Sequence, residues 1–267
     1  SVHGNECTCL RDKISRELVS QEEAMLLCAQ HVLPVSSAPI ENGAVLVKDG
    51  KIADIGKADM LRIRYAEEEV RDFGTAAICP GLINLYARLE DAIFRGLMSD
   101  VPYAAWMKEI SDLRRRLSAE ESYESAYLGA LESLASGITT VGDISTTGAA
   151  AKAADKVGLR AVVYREISAI DKNLVNYSLK KGVSDLEKWS SKLESDRVSF
   201  GLAPAPVFQC HPLIYKMVSQ YALEHNLPVA AKSIASSRMV ARSRATYASS
   251  SQASWSFRPG CLRALLQ

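Results

Sequence analysis

The sequence predicts an α/β fold: a partial (β/α) barrel preceded by a small β-sandwich element. Two patterns lead to this prediction. From Ile78 to Lys232, apolar strands alternate with amphipathic helices, as in βαβ units that build a parallel sheet. Before them, the β-like stretch Met25–Gly56 contains Asp49-Gly50, a dipeptide favoured at type I′ hairpin turns.

The chain divides into four predicted segments. Residues 1–24 read as a weakly ordered leader and 25–75 as the small β domain. Residues 76–235 form the barrel-like domain, and 236–267 form a tail rich in Ser, Ala and Arg. Glu224 is the last acidic residue, so the tail is basic. It reads as low-complexity sequence or as the out-of-frame end of a longer ancestral protein, rather than as a sixth unit.

The barrel-like domain contains five predicted strand–helix units. Their strands are Ala76–Glu90, Ile138–Ile144, Leu159–Tyr164, Val198–Leu202 and Pro228–Lys232. Two Ser-x-x-Glu pairs, Ser118/Glu121 and Ser184/Glu187, have the spacing of a capping box and predict helix starts. A complete eight-stranded barrel takes roughly 250 residues, so five units predict an incomplete barrel.

Composition restricts the possible partners. The 267 residues are 48% hydrophobic and carry a formal net charge of +1, which favours neither nucleic acid nor an acidic membrane surface. The apolar runs are shorter than the roughly 18 residues of a membrane span. The basic tail lacks interleaved aromatic residues, so we expect no nucleic-acid contact there. Six cysteines without paired spacing indicate reduced thiols in a cytoplasmic protein.

Charged and polar side chains collect where the predicted strands end. Such positions carry the chemistry of parallel α/β enzymes. Tyr86, Arg88 and Glu90 alternate along one strand, which would place them on a single face. Other polar residues lie at the ends of later predicted strands. The ligand-binding residues predicted from the sequence are therefore Tyr86, Arg88, Asp143, Glu166 and Lys232.

Structural roles are also open for these residues: Arg88 and Lys232 could be neutralised by Asp143 and Glu166, with no ligand bound. Arg88 could pair with Glu90 or Asp143 instead of binding a ligand. Asp143 and Glu166 could accept hydrogen bonds from loop amides or pair with Arg165. If the cations stay free of such pairs, guanidinium and ammonium groups would favour a small anionic molecule.

The stretch Pro80–Glu90 resembles the first barrel strand of the amidohydrolase superfamily, in its deaminase and chlorohydrolase branch. That strand reads Pro-Gly-Leu-Ile-Asn-x-His-x-His-Leu-Glu. The segment Gly137–Ser145 resembles enzymes of that branch that deaminate adenosine-like compounds, such as S-adenosylhomocysteine or aminodeoxyfutalosine. The resemblance implies a TIM-type barrel, hydrolysis of C–N bonds other than peptide bonds, and a zinc or iron cofactor.

The chain departs from the pattern where the superfamily binds metal. Tyr86 and Arg88 stand in the two histidine positions, and Lys232 stands in the position of a third metal-binding histidine. Ala205 and Ala235 replace a substrate-contacting histidine and a proton-shuttling glutamate. Arginine cannot ligate a metal, so we expect no cofactor, no catalytic residues and loss of metal-dependent activity. The alternative functions are an anion-binding or partner-binding scaffold that self-associates through its open barrel edge.

Overall fold

The computed structural model describes residues 24–98, 100–193, 196–207 and 209–231. The chain forms two compact units, one that ends at Pro80 and one that begins at Gly81. The predicted leader up to residue 23 and the predicted basic tail lie outside the described residues.

The described part of the first unit is a small β domain, as the sequence predicts. Its elements are β1 (Met25–Val32), β2 (Ile40–Lys48), β3 (Lys51–Lys57), α1 (Ala58–Arg64), β4 (Glu69–Asp72) and β5 (Ala77–Ile78). The strand order is β3-β2-β1-β4, and β5 also pairs with β1. The two hairpin pairs are antiparallel, whereas β4 and β5 run parallel to β1. Helix α1 contributes Leu61 to a core that includes Leu26 and Leu46.

The β2–β3 hairpin turns at Asp49-Gly50, as predicted. Both residues have positive φ angles, 52° for Asp49 and 69° for Gly50, and Lys48 pairs with Lys51 across the turn. A type I′ turn requires positive φ at both central residues. Glycine adopts this conformation without the steric cost of a Cβ atom.

The second unit contains a parallel α/β sheet. Its elements are β6 (Leu82–Ala87), a 3-10 helix (Leu89–Phe94), α2 (Tyr103–Arg114), α3 (Ala119–Ala135), β7 (Ile138–Ser145), α4 (Ala149–Val157), β8 (Arg160–Ile167), a second 3-10 helix (Lys172–Leu174), α5 (Val175–Ser190), β9 (Val198–Pro204) and α6 (Leu213–Glu224). The four strands lie in the order β6-β7-β8-β9, and every neighbouring pair is parallel. The predicted parallel core is confirmed.

Apolar side chains between the sheet and its helices hold the second unit together. Val141, Leu159 and Val163 are fully buried against the alanines of α4. A second cluster joins Ile167 and Leu202 to residues of α5 and α6. A parallel sheet needs this cover because both of its faces are normally shielded by crossover helices.

The predicted fifth strand begins beside β9. Its described part forms a single parallel bridge between Leu202 and Val229. Leu202 donates its amide to Pro228 O, and Ala230 donates to Leu202 O, both at 3.0 Å. A Cβ atom on Gly201 would lie 2.5 Å from Pro228 O, so only glycine permits this approach. Lys232, the last residue of the predicted strand, lies outside the described residues.

Two predictions about elements are wrong. Residues 76–90 do not form one strand, because β5 pairs with β1 in the first unit and β6 ends at Ala87. Pro80 separates the two strands, since proline has no amide to donate to a ladder. The Ser184/Glu187 pair does not begin a helix, because it lies inside α5.

In the part of the chain that the structure describes, no helix has both the length and the apolar character needed to cross a membrane.

Candidate functional site at the strand ends

The carboxyl ends of β6, β7 and β8 bring together the predicted site residues. Arg88 follows β6 directly, Asp143 lies near the end of β7, and Glu166 lies near the end of β8. Adjacent parallel strands end at the same edge of the sheet, so residues far apart in sequence become neighbours here.

Arg88 forms an ion pair with Glu166. Its Nη2 atom lies 2.5 Å from Glu166 Oε1, and the two side chains are only 12% and 14% exposed. Burial alone would lower the pKa of Arg88, but the charge of Glu166 and a hydrogen bond with Tyr86 outweigh it and raise the pKa. Arg88 is therefore a fixed cation, and its partner is Glu166 rather than Glu90 or Asp143.

Asp143, near the end of β7, is completely buried. Its Oδ2 atom accepts a hydrogen bond from the Leu89 amide at 2.7 Å, while Oδ1 has no hydrogen-bond partner among the described residues. Burial is the main reason that the pKa of Asp143 is raised well above its ordinary value, and the nearby charge of Glu90 raises it further.

Glu90 does not share a strand face with Tyr86 and Arg88, because it lies in the 3-10 helix after β6. Its buried carboxylate accepts hydrogen bonds from the hydroxyls of Ser145, Thr146 and Thr147 and from the Thr146 amide. The Thr147 bond measures 2.8 Å and both Thr146 bonds measure 3.3 Å. Sequence reasoning missed this network, although three consecutive hydroxyl residues after a strand end were a usable signal.

Asp91 completes a run of four consecutive anchored residues. The Arg114 guanidinium of α2 donates two hydrogen bonds to its carboxylate, one of them at 2.6 Å from Nε to Oδ1. We call residues Arg88–Asp91 the anchor segment. Through it, the end of β6 is joined to β8 by Arg88, to β7 by the Leu89 amide, to the loop after β7 by Glu90, and to α2 by Asp91.

The remaining candidates differ in what the structure shows. Tyr86 is 46% exposed at the end of β6 and hydrogen-bonds to Arg88. Arg165 does not pair with Glu166 by its side chain, since its guanidinium binds Asp185 Oδ2 at 3.0 Å. Lys232 lies outside the described residues, so its predicted place at the site stays a prediction.

A polar groove of about 310 Å³ lies beside the anchor segment. Its walls include two arginines, and both are already ion-paired: Arg88 with Glu166, and Arg95 with Glu132. The groove residues that carry polar side chains are Asn84, Tyr86, Arg88, Asp91, Arg95 and Ser133. An anion entering this groove would compete with carboxylates that the protein itself supplies.

The described residues do not fit a catalytic metal centre. Zinc is held by Cys, His, Asp or Glu side chains that converge on one point. Within the described ranges, no group of three or more such side chains is arranged to hold an ion. At the strand ends, Glu166 is taken by Arg88, and a guanidinium cannot act as a ligand.

A parallel α/β sheet with charged residues at its carboxyl edge has the architecture of part of a (β/α) barrel. The model of the amidohydrolase family matches residues 77–253. The chain belongs to that family. The 5-methylthioadenosine/S-adenosylhomocysteine deaminase of Thermodesulfovibrio yellowstonii is 30% identical over 218 residues, which cover 78% of this chain and 49% of that enzyme. The 5'-deoxyadenosine deaminase of Methanococcus maripaludis is 27% identical over 188 residues, 69% of this chain and 44% of that enzyme.

Solved structures confirm the predicted partial TIM-type barrel. An adenosine deaminase from Xanthomonas campestris superposes with a TM-score of 0.66 at 19% identity, covering 84% of this chain and 52% of its own. The atrazine chlorohydrolase of Arthrobacter aurescens superposes with a TM-score of 0.69 at 19% identity, and the match covers 84% of this chain and 56% of that enzyme. Both were solved with zinc. The expectation of no cofactor is therefore wrong for the family to which this chain belongs, because these two solved neighbours contain zinc.

The chain spans about half the length of the curated relatives and solved structures that it matches. Within the described residues, the parallel sheet has four strands and one further bridge. A complete barrel of this type has eight.

Proposed function

We propose that this chain is an amidohydrolase-family protein, derived from hydrolases of C–N bonds, in which metal-dependent hydrolysis has been lost. The observation that carries the proposal is the Arg88–Glu166 ion pair. It occupies the carboxyl ends of β6 and β8, where barrel enzymes position their reacting groups.

The chemistry of the lost step explains the proposal. Attack on the C–N carbon of an adenosine-like compound requires an activated water, which a bound metal supplies by lowering the pKa of that water. By resemblance, positions 86 and 88 would carry metal-binding histidines, and here they carry Tyr86 and Arg88. A guanidinium cannot act as a metal ligand, and the single phenolate that Tyr86 could supply does not by itself hold a catalytic metal.

A nucleoside deamination assay tests the proposal. Purified protein would be mixed with 5'-methylthioadenosine, S-adenosylhomocysteine or 5'-deoxyadenosine in the presence of zinc, and release of ammonia followed. We expect rates equal to those of buffer alone. The Thermodesulfovibrio deaminase, assayed in parallel, provides the positive control. Zinc-dependent turnover by this chain would contradict the proposal.

Binding of a small anion by Arg88 is a weaker alternative. Phosphate or a carboxylate would have to displace Glu166 from a partly buried ion pair. Thermal denaturation separates the two alternatives, because an anion site would give stabilisation by phosphate that disappears in Arg88→Ala. A melting temperature that does not change with phosphate supports the closed ion pair.

Self-association through β6 is a second candidate function. Within the described residues, β6 pairs with β7 along one edge, and no other described strand pairs with its opposite edge. Leu82, Ile83 and Leu85 are 59%, 44% and 62% exposed, and β6 carries no charged residue. Exposed, uncharged edge strands pair readily with another strand. We propose a second copy of this chain as the partner, since identical β6 edges can pair around a twofold axis.

A further inference from the structure

Two buried carboxyl groups influence each other near the strand ends, Glu90 within the anchor segment and Asp143 on β7, and their hydrogen-bonding needs are met unequally. Glu90 is 7% exposed and accepts hydrogen bonds from Ser145, Thr146 and Thr147. Asp143 is 0% exposed and has one oxygen bonded to the Leu89 amide and one without a partner among the described residues. The donors around Glu90 suit a carboxylate, whereas the surroundings of Asp143 do not.

The other charged groups near Asp143 are already committed to partners. Arg88, from the end of β6, is paired with Glu166 of β8. Asp91, from the 3-10 helix, is paired with Arg114 of α2. The negative charges of Glu90 and Asp91 would repel a negative charge on Asp143. The positive charge of Arg88 would attract it, but Arg88 is already paired with Glu166. A second buried negative charge beside Glu90 would therefore lack a counter-ion of its own.

We propose that Glu90 and Asp143 together carry a single negative charge, located on Glu90, and that loss of the proton from Asp143 as the pH rises places a second negative charge beside Glu90, whose repulsion loosens the hydrogen bonds of Glu90 to Ser145, Thr146 and Thr147. The site would thus act as a pH-dependent latch between β6 and β7. This latch does not depend on whether the protein retains catalysis.

The direction of the pH effect follows from linkage. The raised pKa of Asp143 in the folded state means that the native protein keeps a proton that the unfolded chain loses above about pH 3.9. The stability contributed by this group is complete below that pH. It falls progressively as the pH rises toward the folded pKa. Glu90→Gln would remove the neighbouring charge and move the titration of Asp143 to lower pH.

Carbon-13 NMR of the full chain, labelled at aspartate carboxyl groups, tests the latch directly. The Asp143 resonance is identified by its loss in Asp143→Asn, or by sequential assignment if that variant does not fold. We expect Asp143 to titrate well above the ordinary value of about 3.9, and the Leu89 amide to shift with the same midpoint. The exposed Asp72, whose pKa is lowered by the Gly74 amide and Arg62, is the control in the same spectra.

Three results would overturn the latch. Titration of Asp143 at or below the ordinary value would show that it is ionised in the native state. An unchanged Asp143 midpoint in Glu90→Gln would show that the two carboxyl groups do not share a charge. A Leu89 amide that does not respond to the Asp143 titration would likewise remove the proposed link to the anchor segment.

Discussion

At the scale of single residues, the sequence indicated which side chains would reach the strand ends but not how they would pair. Arg88, Asp143 and Glu166 were all predicted there, and the structure brings them together. Their pairing could not be predicted from a local pattern, because Arg88 and Glu166 are 78 residues apart in sequence and meet only when the sheet forms. The role of Glu90 was missed because the strand was predicted to continue through it, whereas β6 ends at Ala87.

Cys210 offers a residue-scale prediction. It is buried, its pKa is raised to about 11 by burial and by the charge of Glu166, and its thiol donates to Ala205 O at 3.0 Å. We expect iodoacetamide at neutral pH to alkylate Cys210 roughly a hundredfold more slowly than an ordinary thiol, since the thiolate is the reactive form. Peptide mass mapping would measure this, with the exposed Cys79 as the reference. Equal rates at the two cysteines would refute the prediction.

At the scale of elements, identical local patterns had different outcomes. Ser118 and Glu121 form the predicted capping box at the start of α3, where Ser118 Oγ accepts the Glu121 amide at 3.1 Å and Glu121 Oε2 accepts the Ser118 amide at 2.8 Å. Ser184 and Glu187 have the same spacing inside α5. The helix around Ser184 starts earlier because Val175 and Leu179 are buried against the sheet, and packing outweighs a local capping signal.

The two serines therefore form a matched pair for a helix-cap prediction. Ser118→Ala should lower the free energy of unfolding by about 1 kcal/mol, because it removes the side chain that satisfies an orphan amide. Ser184→Ala should change it by less than about 0.5 kcal/mol, because alanine suits a helix interior. Urea denaturation followed by circular dichroism compares them. An equal loss of unfolding free energy in the two variants would show that the Ser118 cap does not stabilise the helix.

At the scale of the whole molecule, alternation of strands and helices was sufficient to predict a parallel sheet and an incomplete barrel. The register of the sheet and its edges could not be read from the sequence, because they depend on contacts among distant strands. One consequence is the exposed apolar row on β6. The sequence predicted an open edge, and in the described residues β6 lies at one end of the four-stranded sheet and carries this apolar row.

Light scattering after size-exclusion chromatography tests self-association of the chain. We expect the unmodified protein to elute as a species larger than one chain, and Leu85→Lys to shift it to the monomer by placing a charge on the β6 edge. Leu223→Lys is the control, since Leu223 is 82% exposed on α6, away from this edge. A monomeric unmodified protein, or equal effects of the two variants, would argue against the proposal.

The central proposal is that Arg88 and Glu166 neutralise each other at the strand ends, which leaves neither side chain free to take part in catalysis. A double-mutant cycle on Arg88→Ala and Glu166→Ala measures this most directly, with urea unfolding as the readout. We expect a coupling free energy of about 2 kcal/mol, as for a hydrogen-bonded charged pair shielded from solvent. The exposed pair Arg95 and Glu132 should couple by less than about 1 kcal/mol. Additive effects of the Arg88 and Glu166 substitutions on the unfolding free energy would contradict the proposal that these two side chains neutralise each other.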